Sequence, residues 1–148
     1  MDLIAVLKTV ELFDGLEPLE LEAVAALCHE RTYQAGQVIT TQGEIGDDLF
    51  VVCDGFVEVL LSRLPNDQAP RTMVHLGRGQ IFGEMALVDH GPRSATVRAL
   101  VNGTAVQIIY RQDFAALCDS NYRLGFVVMR NMAADLSFKL RHRNLANR

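Results

Sequence analysis

The residues of this chain whose types and spacing could do chemistry lie in one stretch. Gly79-Gln80-Ile81-Phe82-Gly83-Glu84-Met85-Ala86-Leu87 is followed by Pro92-Arg93-Ser94-Ala95-Thr96-Val97. Residues 82–87 are too few for a stable isolated helix but enough for one turn. The first N–H groups of a helical turn have no partner within it and carry partial positive charge. They make a seat for an anion. Gly83 lets a ligand approach the backbone closely. Arg93 follows a Gly91-Pro92 bend, and its guanidinium can grip a phosphate through two parallel bonds. Glu84 only accepts hydrogen bonds when ionised. Beside a phosphate it serves a group that donates, such as a ribose hydroxyl. An arginine, a turn of free N–H groups and a carboxylate thus describe a site for a singly charged sugar phosphate. The competing reading is an ordinary ion pair of Arg93 with Glu84 or Asp89.

Other chemistries find less support. His29, His75, His90 and His142 show neither HxH nor HxxxH spacing, which disfavours a metal-binding barrel. The glycines at 77, 79 and 83 form neither GxGxxG nor GxxxxGK, so neither dinucleotide nor P-loop binding is implied. Cys28, Cys53 and Cys118 are odd in number and widely spaced. They suggest no disulfide framework and no zinc site, and read as inert core thiols in a reducing, cytoplasmic setting. No nucleophile–histidine pair stands out, and the chain reads as a sensor rather than an enzyme.

Three kinds of element must position the site. Leu3, Ile4, Leu7 and Val10 recur at helical spacing, so a short helix is expected over 2–12. Asp14-Gly15 ends it, and Pro18 suits the first position of a second helix running to about 27. From Gly36 the texture turns to β. Nine of the 11 glycines lie between Gly36 and Gly103 and separate the runs 38–40, 49–53, 56–61, 72–76, 95–100 and 104–110. Short strands with frequent turns indicate a sandwich or a rolled barrel over about 32–110. Pro65-Asn66-Asp67 reads as a hairpin tip. Helical spacing returns over 111–145, first at 113–117 and then from 121, where Val128, Met129, Met132, Leu136 and Leu140 share a stripe. That stripe packs on the barrel, or part of it forms a seam with another helix. The fold class is mainly β with flanking helices, in one domain.

The bulk properties agree. A chain of 148 residues buries about 70% of the surface its unfolded form exposes. No stretch reaches the roughly 18 apolar residues of a membrane helix, and the N-terminus lacks the pattern of a secretory signal. Residues 1–122 carry 8 basic and 17 acidic side chains, whereas residues 123–148 carry 6 basic and 1 acidic. Most of the chain is therefore a poor partner for nucleic acid. Lys139, Arg141, Arg143 and Arg148 suit the C-terminal end of a helix dipole.

The chemical stretch resembles the phosphate-binding cassette of the cyclic nucleotide-binding domain family, found in bacterial regulators, kinase regulatory subunits and gated channels. Upstream, Tyr33-x-x-Gly36-x-Val38-Ile39, Gln42-Gly43-Glu44-x-Gly46-Asp47 and Phe50-Val51-Val52-x-x-Gly55 are similar to the way these domains begin. The resemblance covers about residues 10 to 140. It implies a β-roll of jelly-roll type, with N-terminal helices and a long C-terminal helix. It implies cyclic AMP or cyclic GMP as ligand, no cofactor, and a last helix that moves over the pocket. The cassette would span 82–97. Arg93 would pair with the cyclic phosphate, and the backbone around Gly83, Met85 and Ala86 would donate to phosphate and ribose. Glu84 would accept from the ribose 2′-hydroxyl, and Ser94 would offer its hydroxyl to the phosphate. Some members that prefer cyclic GMP have threonine in the place of Ser94; cyclic AMP is the expected ligand here. The purine would lie against Val74, under a lid drawn from Arg130, Met132, Asp135, Phe138 and Lys139 or supplied by a second subunit. The expected partners are the nucleotide and a protein, with a homodimer through the last helix as one form. The chain ends at Arg148 without room for a helix-turn-helix, so it is expected to be either a stand-alone sensor that acts on a partner or a fragment of something larger, with the starting Met1 favouring a complete protein. The other reading is a ligand-free interaction module that keeps the same shape.

Overall fold

The computed structural model describes residues 2–62 and 71–146; Pro65-Asn66-Asp67 lies outside them. Helix α1, Leu3–Lys8, is capped by Asp2, whose carboxylate accepts from the Ala5 N–H at 3.2 Å. It ends earlier than its apolar spacing suggests. Thr9 turns its hydroxyl onto the Val6 carbonyl at 2.7 Å, a local bond that competes with the helix. A 3-10 turn, Glu11–Phe13, follows and buries Leu12 and Phe13. Helix α2, Pro18–Ala25, starts on its proline, with the Glu20 carboxylate accepting from the Glu17 N–H at 2.9 Å.

The described strands form two four-stranded antiparallel sheets, ordered β1-β8-β3-β6 and β2-β7-β4-β5. They are β1 His29–Tyr33, β2 Val38–Thr40, β3 Asp48–Asp54, β4 Val57–Leu61, β5 Arg71–Leu76, β6 Ile81–Phe82, β7 Thr96–Ala99 and β8 Thr104–Tyr110. Strands β3 and β8 are buried along almost their whole length. Successive side chains of a strand point to opposite faces, so each strand serves two cores. Phe50, Val52, Val106 and Ile108 point into the roll with Val57, Phe82 and Val97. Leu49, Val51, Cys53 and Ile109 point outward and pack beneath the helices.

Two strands escape a reading by pattern. β1 is the sequence His-Glu-Arg-Thr-Tyr, largely exposed, so nothing apolar alternates along it and the β region begins earlier than expected. β6 is two residues long, too short for any period, yet it fixes Phe82 opposite Phe50.

Helix α3, Arg111–Ser120, buries Phe114, and helix α4 runs over Tyr122–Ala146. Leu124, Val127, Val128 and Met132 of α4 are buried, and Met129 and Leu136 are partly so. Leu140 departs from the expected stripe: it is 59% exposed. Asn131 donates to the carbonyls of Leu12 (3.0 Å) and Asp14 (2.8 Å). Arg123 pairs with Glu20 and donates to the Gly15 carbonyl at 3.1 Å. The first half of α4 is thus pinned to the N-terminal segment by both packing and hydrogen bonds.

Candidate functional site

Strand β6 delivers the chain to the cassette. The Phe82 ring stacks on Phe50 with centroids 4.7 Å apart, which fixes where the next residue begins. Gly83 then takes the left-handed conformation, φ 77°, and opens a 3-10 turn over Glu84–Leu87. A Cβ there would lie 2.6 Å from Arg93 Nη1 and 2.9 Å from the Asp48 carbonyl oxygen. Only glycine meets both conditions. The Ala86 N–H is taken by the Gly83 carbonyl at 3.1 Å. The donors that a tight turn leaves over are therefore those before it, at Gly83, Glu84 and Met85.

Arg93 reaches the same place from the other side. Its Nη1 donates to the Asp48 carbonyl at 2.9 Å, its Nη2 pairs with the Asp48 carboxylate, and its guanidinium lies over the Phe50 ring at 5.5 Å. The side chain is only 9% exposed. The ion-pair reading named Glu84 or Asp89 as partner; the partner is Asp48, which the sequence did not single out. Nη1 also points at the Gly83 carbonyl, 3.5 Å away. An arginine fixed on these edges is preorganised, and where it borders the neighbouring cavity it can meet an anion.

These groups line one cavity of about 1110 Å³. Gly83, Glu84, Met85, Ala86, Arg93 and Ser94 all line it, and Ser94 is exposed. Val59, Val74, Leu76 and Val97 form an apolar flank, and Met132, Asp135, Phe138 and Lys139 of α4 form a roof. Arg130 is not part of that roof. Five residues before Asp135, it stands on another side of the helix, with its guanidinium over the Phe126 ring at 5.4 Å. The N-terminal segment also contributes, through Thr9, Glu11 and Asp14. Their contribution had no signature in the sequence.

The roof touches the cassette through one ammonium. Lys139 Nζ lies 3.2 Å from a Glu84 oxygen and 2.9 Å from an Asp135 oxygen. Burial pulls the Lys139 pKa down, but the hydrogen bonds to Asp135 and the charge of Glu84 outweigh it and hold the pKa above the usual lysine value. The second oxygen of Glu84 remains for another donor.

The thiols lie away from this chemistry. Burial pushes the Cys28 thiol up to about 12 and the Cys53 thiol up to about 11, so both stay protonated and unreactive at neutral pH. Among the described residues no cluster of side chains could hold a metal ion, and no helix is long and apolar enough to cross a membrane.

A family model described as a cyclic nucleotide-binding domain matches residues 30–121, from β1 through α3. The chain belongs to the cyclic nucleotide-binding domain family. The domain is 36% identical, over 94% of its length, to the cyclic AMP receptor protein of Thermus thermophilus, covering 61% of that protein. It is 40% identical over 76% of its length to a cyclic nucleotide-gated potassium channel of Mesorhizobium japonicum, covering 29% of that protein. Among solved structures, the Thermus thermophilus catabolite activator protein matches with a TM-score of 0.81 over 92% of the domain and 61% of that chain. The regulatory domain of Toxoplasma gondii PKA with cAMP, 28% identical, matches with a TM-score of 0.77 over 91% of the domain and 48% of that chain. The domain therefore spans at most about three fifths of these relatives.

Proposed function

We propose that the domain binds one cyclic mononucleotide, preferring cyclic AMP, in the cavity beneath α4, and acts as a sensor rather than a catalyst. The observation that carries this reading is the convergence of a buried arginine, a turn with free N–H groups and a carboxylate in one roofed cavity. The cyclic phosphate sits against Arg93, the N–H groups of Gly83 to Met85, and the Ser94 hydroxyl. The ribose 2′-hydroxyl donates to the free oxygen of Glu84. The purine lies between the apolar strand flank at Val74 and the Phe138 ring, with Asp135 and Lys139 at its edge. The alternative, that the domain is itself a ligand-free interaction module of the same shape, is disfavoured, because such a module has no use for an enclosed arginine beside a turn of free donors. Competition between cyclic AMP and cyclic GMP for the purified chain tests the base preference. Equal or stronger binding of cyclic GMP would reject it. The free, protonated thiols fit the reducing, cytoplasmic setting proposed here.

Signalling follows from the division within α4. The half before Ala133 is held in the core by Leu124, Val127, Val128 and Met132; from Ala133 onward the contact is thinner, with Leu136 partly buried against the core and Lys139 meeting the cassette. Only the outer half is free to change its docking, and the ligand favours the docked state because it completes the coordination of Glu84. Hydrogen exchange of backbone amides measures this directly. Ligand should slow exchange over 133–142 and leave 122–132 unchanged, and Lys139→Ala should shrink the difference. Equal protection along the whole helix would reject this mechanism.

The proposed protein partner is a second copy. Tyr122, Phe126, Met129, Ala133, Leu136 and Leu140 follow one another in steps of four and three along α4. This is the spacing of a coiled-coil seam. Tyr122 is 80% exposed and Phe126 64%, while Met129 and Leu136 are partly buried against the core, so the seam overlaps the edge of the buried stripe. Sedimentation should show a dimer that Phe126→Glu converts to a monomer. A monomeric parent at tens of micromolar, or a variant that stays dimeric, would contradict the seam.

A further inference from the structure

We infer that His142 is a positioning residue for the roof of the cavity: it backs the Phe138 ring and holds it in place for the purine. The inference rests on the ligand site proposed above and deepens it. Phe138 is 60% exposed. A phenylalanine so open to solvent, on the thinly packed half of α4, keeps its rotamer freedom unless something local restrains it. The restraint here is His142. Its ring stacks on that of Phe138, with centroids 3.8 Å apart and planes inclined by 29°. Its Nδ1 lies 2.8 Å from the Phe138 carbonyl oxygen. A carbonyl oxygen only accepts, so Nδ1 carries the proton and donates. The imidazole is thereby tied to the backbone of the same residue whose ring it covers.

The spacing makes the pair possible, and the placement gives it a use. Residues four apart on a helix are neighbours on one face, and α4 continues to Ala146. Phe138 lines the cavity, whereas His142 does not. The imidazole therefore covers the ring from outside the cavity, and the part left uncovered faces inward, across from Val74 on the strand flank. One residue further along the chain, Lys139 is engaged by Glu84 and Asp135. That ion pair holds this turn of α4 at the cassette, and His142 holds the ring that the turn carries. Ordering a free side chain on binding lowers affinity. A purine entering between Val74 and Phe138 meets a ring already ordered.

The test is His142→Ala, alone and in a Phe138→Ala background, with His142→Phe as the conservative variant. In the ligand-free protein, Phe138→Ala should move the His142 ring-proton resonances, because the ring current of the phenyl group is removed. His142→Ala should weaken cyclic AMP binding about three- to tenfold, the worth of an aromatic pair. His142→Phe keeps a stacking ring and should bind within about twofold of the parent. In the Phe138→Ala background, His142→Ala should change affinity no further, since no ring is left to position. An equal loss in both backgrounds would mean that His142 only supports the helix end, and would overturn the inference. So would unmoved His142 resonances, or a His142→Ala variant that binds as tightly as the parent or more tightly. If the parent binds neither cyclic AMP nor cyclic GMP, the ligand reading fails and the role of His142 falls with it. If the parent binds and His142→Ala matches it, only the role of His142 falls.

Discussion

Replacing Arg93 with alanine is expected to weaken cyclic nucleotide binding by about thirty- to several thousandfold, corresponding to about 2–5 kcal/mol. The size follows from burial. The Arg93 side chain is 9% exposed, so a phosphate seated against it is itself withdrawn from water. Deleting the arginine leaves that phosphate facing the Asp48 carboxylate, which it had neutralised. Loss of attraction and gain of repulsion then act together. Arg93→Lys should fall between parent and alanine, since an ammonium keeps the charge but lacks the planar fork that bonds Asp48 and the ligand at once. Titration of each variant with cyclic AMP measures the effect. An alanine variant that binds within threefold of the parent would remove Arg93 from the site.

The second large effect concerns stability. Leu124 is fully buried, in the pinned first half of α4, among Leu7, Phe13, Phe114 and other core residues. Leu124→Ala should destabilise the domain by about 2–5 kcal/mol, as truncations of buried leucines do. For a chain of this size that is a fall in Tm of roughly 5–15 °C. Leu140→Ala should change stability little, since that side chain is 59% exposed. The contrast separates a helix that is core in its first half from one that rests on the roll as a uniform lid. Similar Tm values for Leu124→Ala and the parent would contradict the division of α4 on which the signalling mechanism stands.

The parts of the fold that were legible in the sequence are those where one physical demand dominates. β3 and β8 must be apolar on both faces because they lie between two cores, so continuous apolar runs gave them away. The cassette was legible because a turn that offers its N–H groups and a following arginine need particular residues at particular places. β1 was hidden because an edge strand with exposed side chains obeys no apolar pattern, and its pairing with β8 is carried by the backbone. The lid was only half legible. Helical spacing narrowed it to residues 130–139, but which of those faces the cavity depends on how α4 is rotated on the core. Packing of Leu124, Val128 and Met132 sets that rotation, directing Asp135 and Lys139 inward and Arg130 outward. Asp48 was invisible as the partner of Arg93 because two adjacent acids, Asp47 and Asp48, differ only in the direction the strand pleat gives them. One pairs with His90 and the other with Arg93.

The most direct test of the central claim is calorimetric titration of the purified chain with cyclic AMP, with the open-chain 5′-monophosphate as control. The expected result is one site per chain with a Kd of about 1 μM or tighter, or about −8 kcal/mol, and much weaker binding of the doubly charged control. Absence of binding heat and of any thermal shift, with cyclic AMP and cyclic GMP alike at millimolar concentration, would contradict the account and leave the cassette as a shape without a ligand.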